Sequence, residues 1–173
     1  MRKIFLLLPI TSLALGAGLT ACTPKARVEP GPVVEAFYAE LLTHPISGAP
    51  NAGDLPRIVP FLADSLAADL ERIGRESDSA AVQHPGEKPP FADGDLFTSM
   101  FEGPTAFWVM ATQEKPHPAV LVHFEHREGV ESTEWVDTVY VARRDTSWVV
   151  TDIAYGGTWP IANKGTLRAK LRP

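Results

Sequence analysis

Apolar positions recur along the chain first at helical spacing and later at strand spacing. Val34, Phe37, Tyr38, Leu41 and Leu42 share one helical face. Pro32 suits the opening turn of that helix. His44-Pro45 ends it, because a residue before proline avoids the helical region. Residues 46–53 (ISGAPNAG) read as a loop. A short turn then starts at Asp54 or Leu55 and runs to Val59, where Pro60 interrupts it. Leu62, Leu66, Leu70 and Ile73 lie at i, i+4, i+8 and i+11, the stripe of an amphipathic helix expected to end near Gly74. Residues 75–90 are polar and broken by Pro85, Gly86, Pro89 and Pro90, so a long loop is expected there.

From Thr105 the period becomes two. Residues 106–111 (AFWVMA) read as a strand. Val120, Val122 and Phe124 alternate with Leu121, His123 and Glu125 in a second. Trp135, Asp137, Val139 and Val141 alternate with Val136, Thr138, Tyr140 and Ala142 in a third. In a fourth, Trp148, Val150, Asp152 and Ala154 are expected on one face and Val149, Thr151, Ile153 and Tyr155 on the other. The connectors 113–118, 127–132 and 143–146 are short, which makes neighbouring strands antiparallel. Helices followed by a strand meander give an α+β class: N-terminal helices packed on a curved antiparallel sheet of about four strands. The polar tail from Gly156 offers one last helical turn, Thr166 to Leu171, with Leu167 and Leu171 packed back.

The first 22 residues follow a different logic. Arg2 and Lys3 precede an apolar stretch from Ile4 to about Leu19, the layout of an export signal. Its end, Leu19-Thr20-Ala21-Cys22, resembles a lipobox: an aliphatic residue, two small residues and the cysteine that receives the lipid. Pro9, Thr11, Ser12 and two glycines make the stretch a poor transmembrane helix. Leu19-Thr20-Ala21 does not fit an Ala-x-Ala cleavage site. Cys22 is the one cysteine of the chain, and lipidation explains a lone thiol in an exported protein. The expected organisation is a signal peptide over 1–21, a lipidated cysteine and proline-bearing tether over 22–31, and a single domain over 32–173. More than one acyl chain holds a protein durably on a bilayer, at about 0.8 kcal/mol per buried methylene. Thr23 rather than aspartate after the cysteine points to the outer membrane, facing the periplasm, in a host with two membranes.

Charge narrows the partners. The chain carries −5, and the leader holds Arg2 and Lys3 without an acid, so the remainder is near −7. That argues against nucleic acid, which requires a basic surface to release counterions. It argues equally against a polybasic second attachment to anionic lipid. The membrane is reached through lipid on Cys22, and an envelope protein is a possible partner.

The early Phe37-Tyr38 helix, the Leu-spaced second helix and the terminal strand Ser147-Trp148-Val149-Val150-Thr151-Asp152-Ile153 together resemble the cystatin-like, nuclear-transport-factor-2-like cone. With the acidic loop Pro90-Phe91-Ala92-Asp93-Gly94-Asp95, they also resemble a family of bacterial envelope lipoproteins known only as a domain of unknown function. The likeness covers about Pro32 to Leu171. It implies a fold and an address, but no activity.

Candidate chemistry is sparse. Asp93 and Asp95 place two carboxylates in one loop, but the residues after them lack the regular oxygen ligands of a calcium site, and an Asp-Gly turn leading into Leu96–Phe101 explains them. His44, His84, His117, His123 and His126 have no zinc spacing; His123 and His126 should point to opposite sheet faces. Asp137 and Asp152 stand among apolar strand residues. In enzymes of the cone type an aspartate in an apolar pocket acts as a general base, with Tyr38, Tyr140 or Tyr155 as possible donors, in isomerase- or dehydratase-like chemistry. The alternative for each aspartate is a pairing with Arg143, Arg144 or a backbone amide. Trp159, held between Gly156-Gly157 and Pro160, either contacts a ligand or covers an open end of the sheet. No nucleophile triad, phosphate loop or Cys-His pair is present, and no cofactor is expected. The leading expectation is a non-catalytic, lipid-anchored binding or interaction protein facing the periplasm. An immunity or inhibitor protein against a periplasmic toxin or hydrolase, and a small-molecule or enzymatic pocket inside the cone, are the alternatives.

Overall fold

The computed structural model describes residues 29–113 and 116–172. The leader, Leu19-Thr20-Ala21-Cys22 and the tether up to Val28 lie outside the described residues. Helix α1 (Gly31–Thr43) opens with Pro32 in its first turn and buries Val34, Phe37 and Tyr38. Leu41 and Leu42 remain half-buried. Asn51 then forms a side-chain turn, its Oδ1 accepting from the amides of Gly53 and Asp54. This turn leads into α2 (Leu55–Ile58), followed by one 3-10 turn (Val59–Phe61).

The second long helix differs from the expectation at both ends. Leu62 is extended, with φ −102° and ψ 150°, and forms a parallel bridge to Val150 while Ala63 donates its amide to the Val150 carbonyl at 2.8 Å. Leu62 therefore seals a sheet edge instead of starting the helical stripe. Helix α3 (Asp64–Gln83) begins two residues later, buries Leu66, Leu70 and Ile73, and passes through Gly74 for nine further residues. Gly74 is not a helix end. A Cβ there would lie 2.5 Å from the Pro50 carbonyl oxygen, so the glycine admits a close crossing of helix and loop. The polar continuation is held by i,i+4 pairs along its surface, Glu71 with Arg75 at 2.6 Å and Arg72 with Glu76 at 2.9 Å. The expected loop over 75–90 thus shortens to the segment after Gln83.

The strands β1 (Ala106–Gln113), β2 (Ala119–Glu128), β3 (Glu131–Arg144) and β4 (Ser147–Ala154) form one curved antiparallel sheet in the order β1-β2-β3-β4. Two-residue turns join β2 to β3 at Gly129-Val130 and β3 to β4 at Asp145-Thr146, each with its first residue at positive φ (60° and 55°). Among the described residues the molecule is α+β, with three α-helices preceding a four-stranded sheet and one short helix following it. A shift in register between Tyr140 and Val141 leaves Thr151 as an extra residue in β4. It overturns the expected face assignment. Val150 and Ile153 both turn into the core, and Asp152 falls on the opposite face, across from Tyr140. Helix α4 (Leu167–Leu171), with the Thr166 side chain capping the Ala169 amide, buries Leu167 and Leu171.

A chain of aromatic contacts fills the space between helices and sheet. Phe37 meets Phe97 edge-on with centroids 5.7 Å apart, Tyr38 meets Phe124 at 4.8 Å, Phe124 stacks on Trp135 at 5.4 Å, and Trp135 meets Trp159 at 5.6 Å. Each such pair adds about 0.5–1.5 kcal/mol beyond its area burial. Among the described residues no helix is long and apolar enough to cross a membrane.

Candidate functional site

The segment between α3 and β1 carries the Asp93-Gly94-Asp95 turn. Gly94 sits at φ 81° with the Phe101 ring where a Cβ would be, so only glycine lets the loop fold onto itself here. Asp95 closes the fold: its amide donates to the Phe101 carbonyl at 2.7 Å. Its carboxylate accepts from the Phe97 amide at 2.5 Å and from Thr98 Oγ1 at 2.9 Å. Two tyrosines clamp this loop from below, Tyr38 donating to the Phe97 carbonyl at 3.0 Å and Tyr155 to the Leu96 carbonyl at 2.6 Å. From the tail, Asn163 Nδ2 donates to the carbonyls of Asp95 and Thr98.

Asp137 anchors the same loop from the sheet. Fully buried on β3, its Oδ1 accepts from Ser99 Oγ at 2.5 Å and the Gly156 amide at 2.8 Å, and its Oδ2 from the Ser99 amide at 2.9 Å and Trp135 Nε1 at 3.0 Å. Burial pushes its carboxyl up from the ordinary range, and these hydrogen bonds pull it back. Both oxygens are saturated by protein donors. Gly156 and Gly157 bring the backbone close enough to do this: a Cβ on Gly156 would lie 2.0 Å from the Val136 carbonyl oxygen. Tyr38 and Tyr155 are held protonated, their hydroxyls pushed well up by burial and then by the nearby carboxylates.

Beside this knot lies a cleft of about 550 Å³. One wall is the C-terminal half of α1, with Tyr38, Leu41 and Leu42, continued by Pro45, Ile46 and Ser47; the other is the segment from Asp93 to Thr105. Its carboxylates are Asp93, Asp95 and Glu102, and among the described residues no Lys, Arg or His lines it. Asp93 is paired with Lys88 Nζ at 2.7 Å. Asp95 is pushed up to about 6 by burial first, with the Phe97 and Thr98 hydrogen bonds opposing and the Asp137 charge adding. A perturbed carboxyl in the wall of an apolar cleft of ligand size is the combination that marks a binding-site candidate.

The structure thus gathers Asp93, Asp95, Asp137 and Trp159 in or against the segment between α3 and β1 and leaves Asp152 elsewhere. Trp159 lies half-buried over Trp135, against Gly157. Asp152 Oδ1 accepts from the amides of Ile153 at 2.8 Å and Arg168 at 2.9 Å, tying α4 to β4. Arg144 turns instead to the Leu62 and Pro60 carbonyls, and Tyr140 stands on the outer face. His123 stacks on Trp108 with centroids 5.3 Å apart and pairs with Glu134 at 3.1 Å. His126 donates from Nδ1 to the Gly103 carbonyl at 2.6 Å. Among the described residues no group of three or more His, Cys, Asp or Glu side chains is placed to hold a metal ion.

Sequence reasoning missed Thr98, Ser99, Asn163 and Glu102. For Thr98 a local cue exists, an Asp with a hydroxyl residue three positions on, the spacing of a side-chain turn. Ser99 and Asn163 carry none, since their partners are far away in the chain. Comparison of the chain with known protein families, with curated proteins and with solved structures finds no match.

Proposed function

We propose that the protein is a lipid-anchored binding protein, non-catalytic, attached through Cys22 and facing the periplasm, with the Asp95 cleft as its ligand site. Membership in the cone-shaped envelope lipoproteins, and outer-membrane placement from Thr23, belong to the same reading. It is supported above all by the position of the cleft: open, apolar-walled and outside a sheet face that the protein's own aromatics fill. The saturation of Asp137 removes that aspartate as a general base, because a general base requires a lone pair within reach of substrate. Neither nucleic acid nor a cofactor enters the reading.

The address is tested by Cys22→Ser. The wild-type chain should take up labelled palmitate and sediment with membranes, and the variant should lose the label and appear in the soluble envelope fraction. Unchanged sedimentation of the variant would contradict the anchor.

A further inference from the structure

Resting on the binding role assigned to the cleft, we propose that its ligand is a small amphipathic amine, with its ammonium against Asp95 and Glu102 and its apolar body against Leu41, Leu42, Ile46 and Phe101.

Four observations lead there. First, size: about 550 Å³ lies in the range of small-molecule sites, roughly 300–1,000 Å³.

Second, charge: of the three carboxylates in the walls, Asp93 already has Lys88. Asp95 and Glu102 form no ion pair among the described residues. The fixed charge of Asp137 stands behind the Asp95 loop. The cation on the tail side, Lys170, is engaged with Asn163 Oδ1 and does not line the cleft; burial lowers its affinity for a proton, and the Asp95 charge opposes that shift. The cleft therefore presents one sign of charge between low-dielectric walls, an arrangement that focuses the field on an incoming cation.

Third, geometry: the Phe97 amide donates to Asp95 Oδ1 and Thr98 Oγ1 donates to its Oδ2, which fixes the carboxylate in the wall of the cleft. Gly103, at φ 76°, packs against this carboxylate, where a Cβ would approach Oδ2 to 3.2 Å.

Fourth, the walls themselves: calcium takes six to eight oxygens, and among the described residues no group of three or more His, Cys, Asp or Glu side chains is placed to hold a metal ion, while leucine, isoleucine and phenylalanine line much of the cleft. Those apolar side chains instead suit a hydrocarbon body carrying the charge.

The test uses the chain exported with Cys22→Ser and purified without lipid, titrated with n-octylamine, n-octanol and n-octanoate by calorimetry and by amide NMR. Octylamine should saturate, with shifts confined to residues around Leu41, Ile46 and Gly103. Octanol should bind at least about tenfold more weakly and octanoate not at all, since only the ammonium gains charge-assisted hydrogen bonds. Asp95→Asn should lower octylamine affinity about tenfold and leave octanol binding unchanged. Glu102→Gln, on an exposed side chain, should lower it in the same direction without touching the fold. Octanol binding as tightly as octylamine, or Asp95→Asn and Glu102→Gln both without effect, overturns the amine and leaves the cleft as a binding site. Absence of saturable binding by all three probes, or shifts elsewhere on the surface, overturns the cleft as well.

Discussion

Asp95 and Asp137 share one polar knot and have opposite chemical prospects. Asp137 accepts from four protein donors, so its loss strands buried N–H and O–H groups at about 1–3 kcal/mol each. Asp137→Ala should destabilise the domain by more than about 3 kcal/mol in urea unfolding; a change under about 1 kcal/mol would show that the knot is slack. Asp95 is the reverse case. Its native carboxyl, at about 6, lies above the unfolded value of about 3.9. The native state binds that proton more tightly, so the stability tied to it is complete below about pH 4 and lost as pH rises through about 6. Asp95→Asn, which resembles the protonated form, should raise the melting temperature relative to wild type at pH 7.5, and the difference should vanish near pH 4. A difference that stays constant between those pH values would contradict a raised carboxyl. The inward face of Asp137 was legible from its alternation with Trp135 and Val139. Its partner Ser99 was not, because a loop's path through space leaves no period in the sequence.

At the scale of elements, period and punctuation were read well where packing is regular and poorly where one residue breaks the rule. The strands emerged because alternation and two-residue turns are local. The extra Thr151 shifted β4 by one position and carried Asp152 off the core face, which no alternation count anticipates. Gly74 misled in the same way: it resembled a helix end and is a crossing point against Pro50. Gly74→Ala, ordinarily favourable within a helix by about 1 kcal/mol, should here destabilise by about 1–3 kcal/mol through overpacking. Ala81→Gly, on the exposed continuation of α3, should cost about 0.5–1 kcal/mol. A loop at Ala81 would show no cost.

For the whole molecule, the order of helices and sheet followed from composition and spacing alone. The cleft did not, since its walls come from the end of α1 and a loop some fifty residues later, and Leu41 and Leu42 look like core in a helical projection. Their half-burial gives the domain an apolar recess beside an acid of raised affinity for protons. Octylamine affinity should therefore fall as pH drops below about 6, where Asp95 takes up its proton, and level off above it. A pH-independent affinity between 5 and 8 would remove Asp95 from recognition. The central claim, a lipid-anchored binder with its ligand in this cleft, is tested most directly by native mass spectrometry of the chain released from its own membranes, beside a Leu42→Trp variant whose indole fills the recess. The account predicts acyl mass on Cys22 in both, with a small-molecule adduct on the wild type alone. Cys22 without acyl mass, a wild type without an adduct, or an adduct retained equally by Leu42→Trp would contradict it.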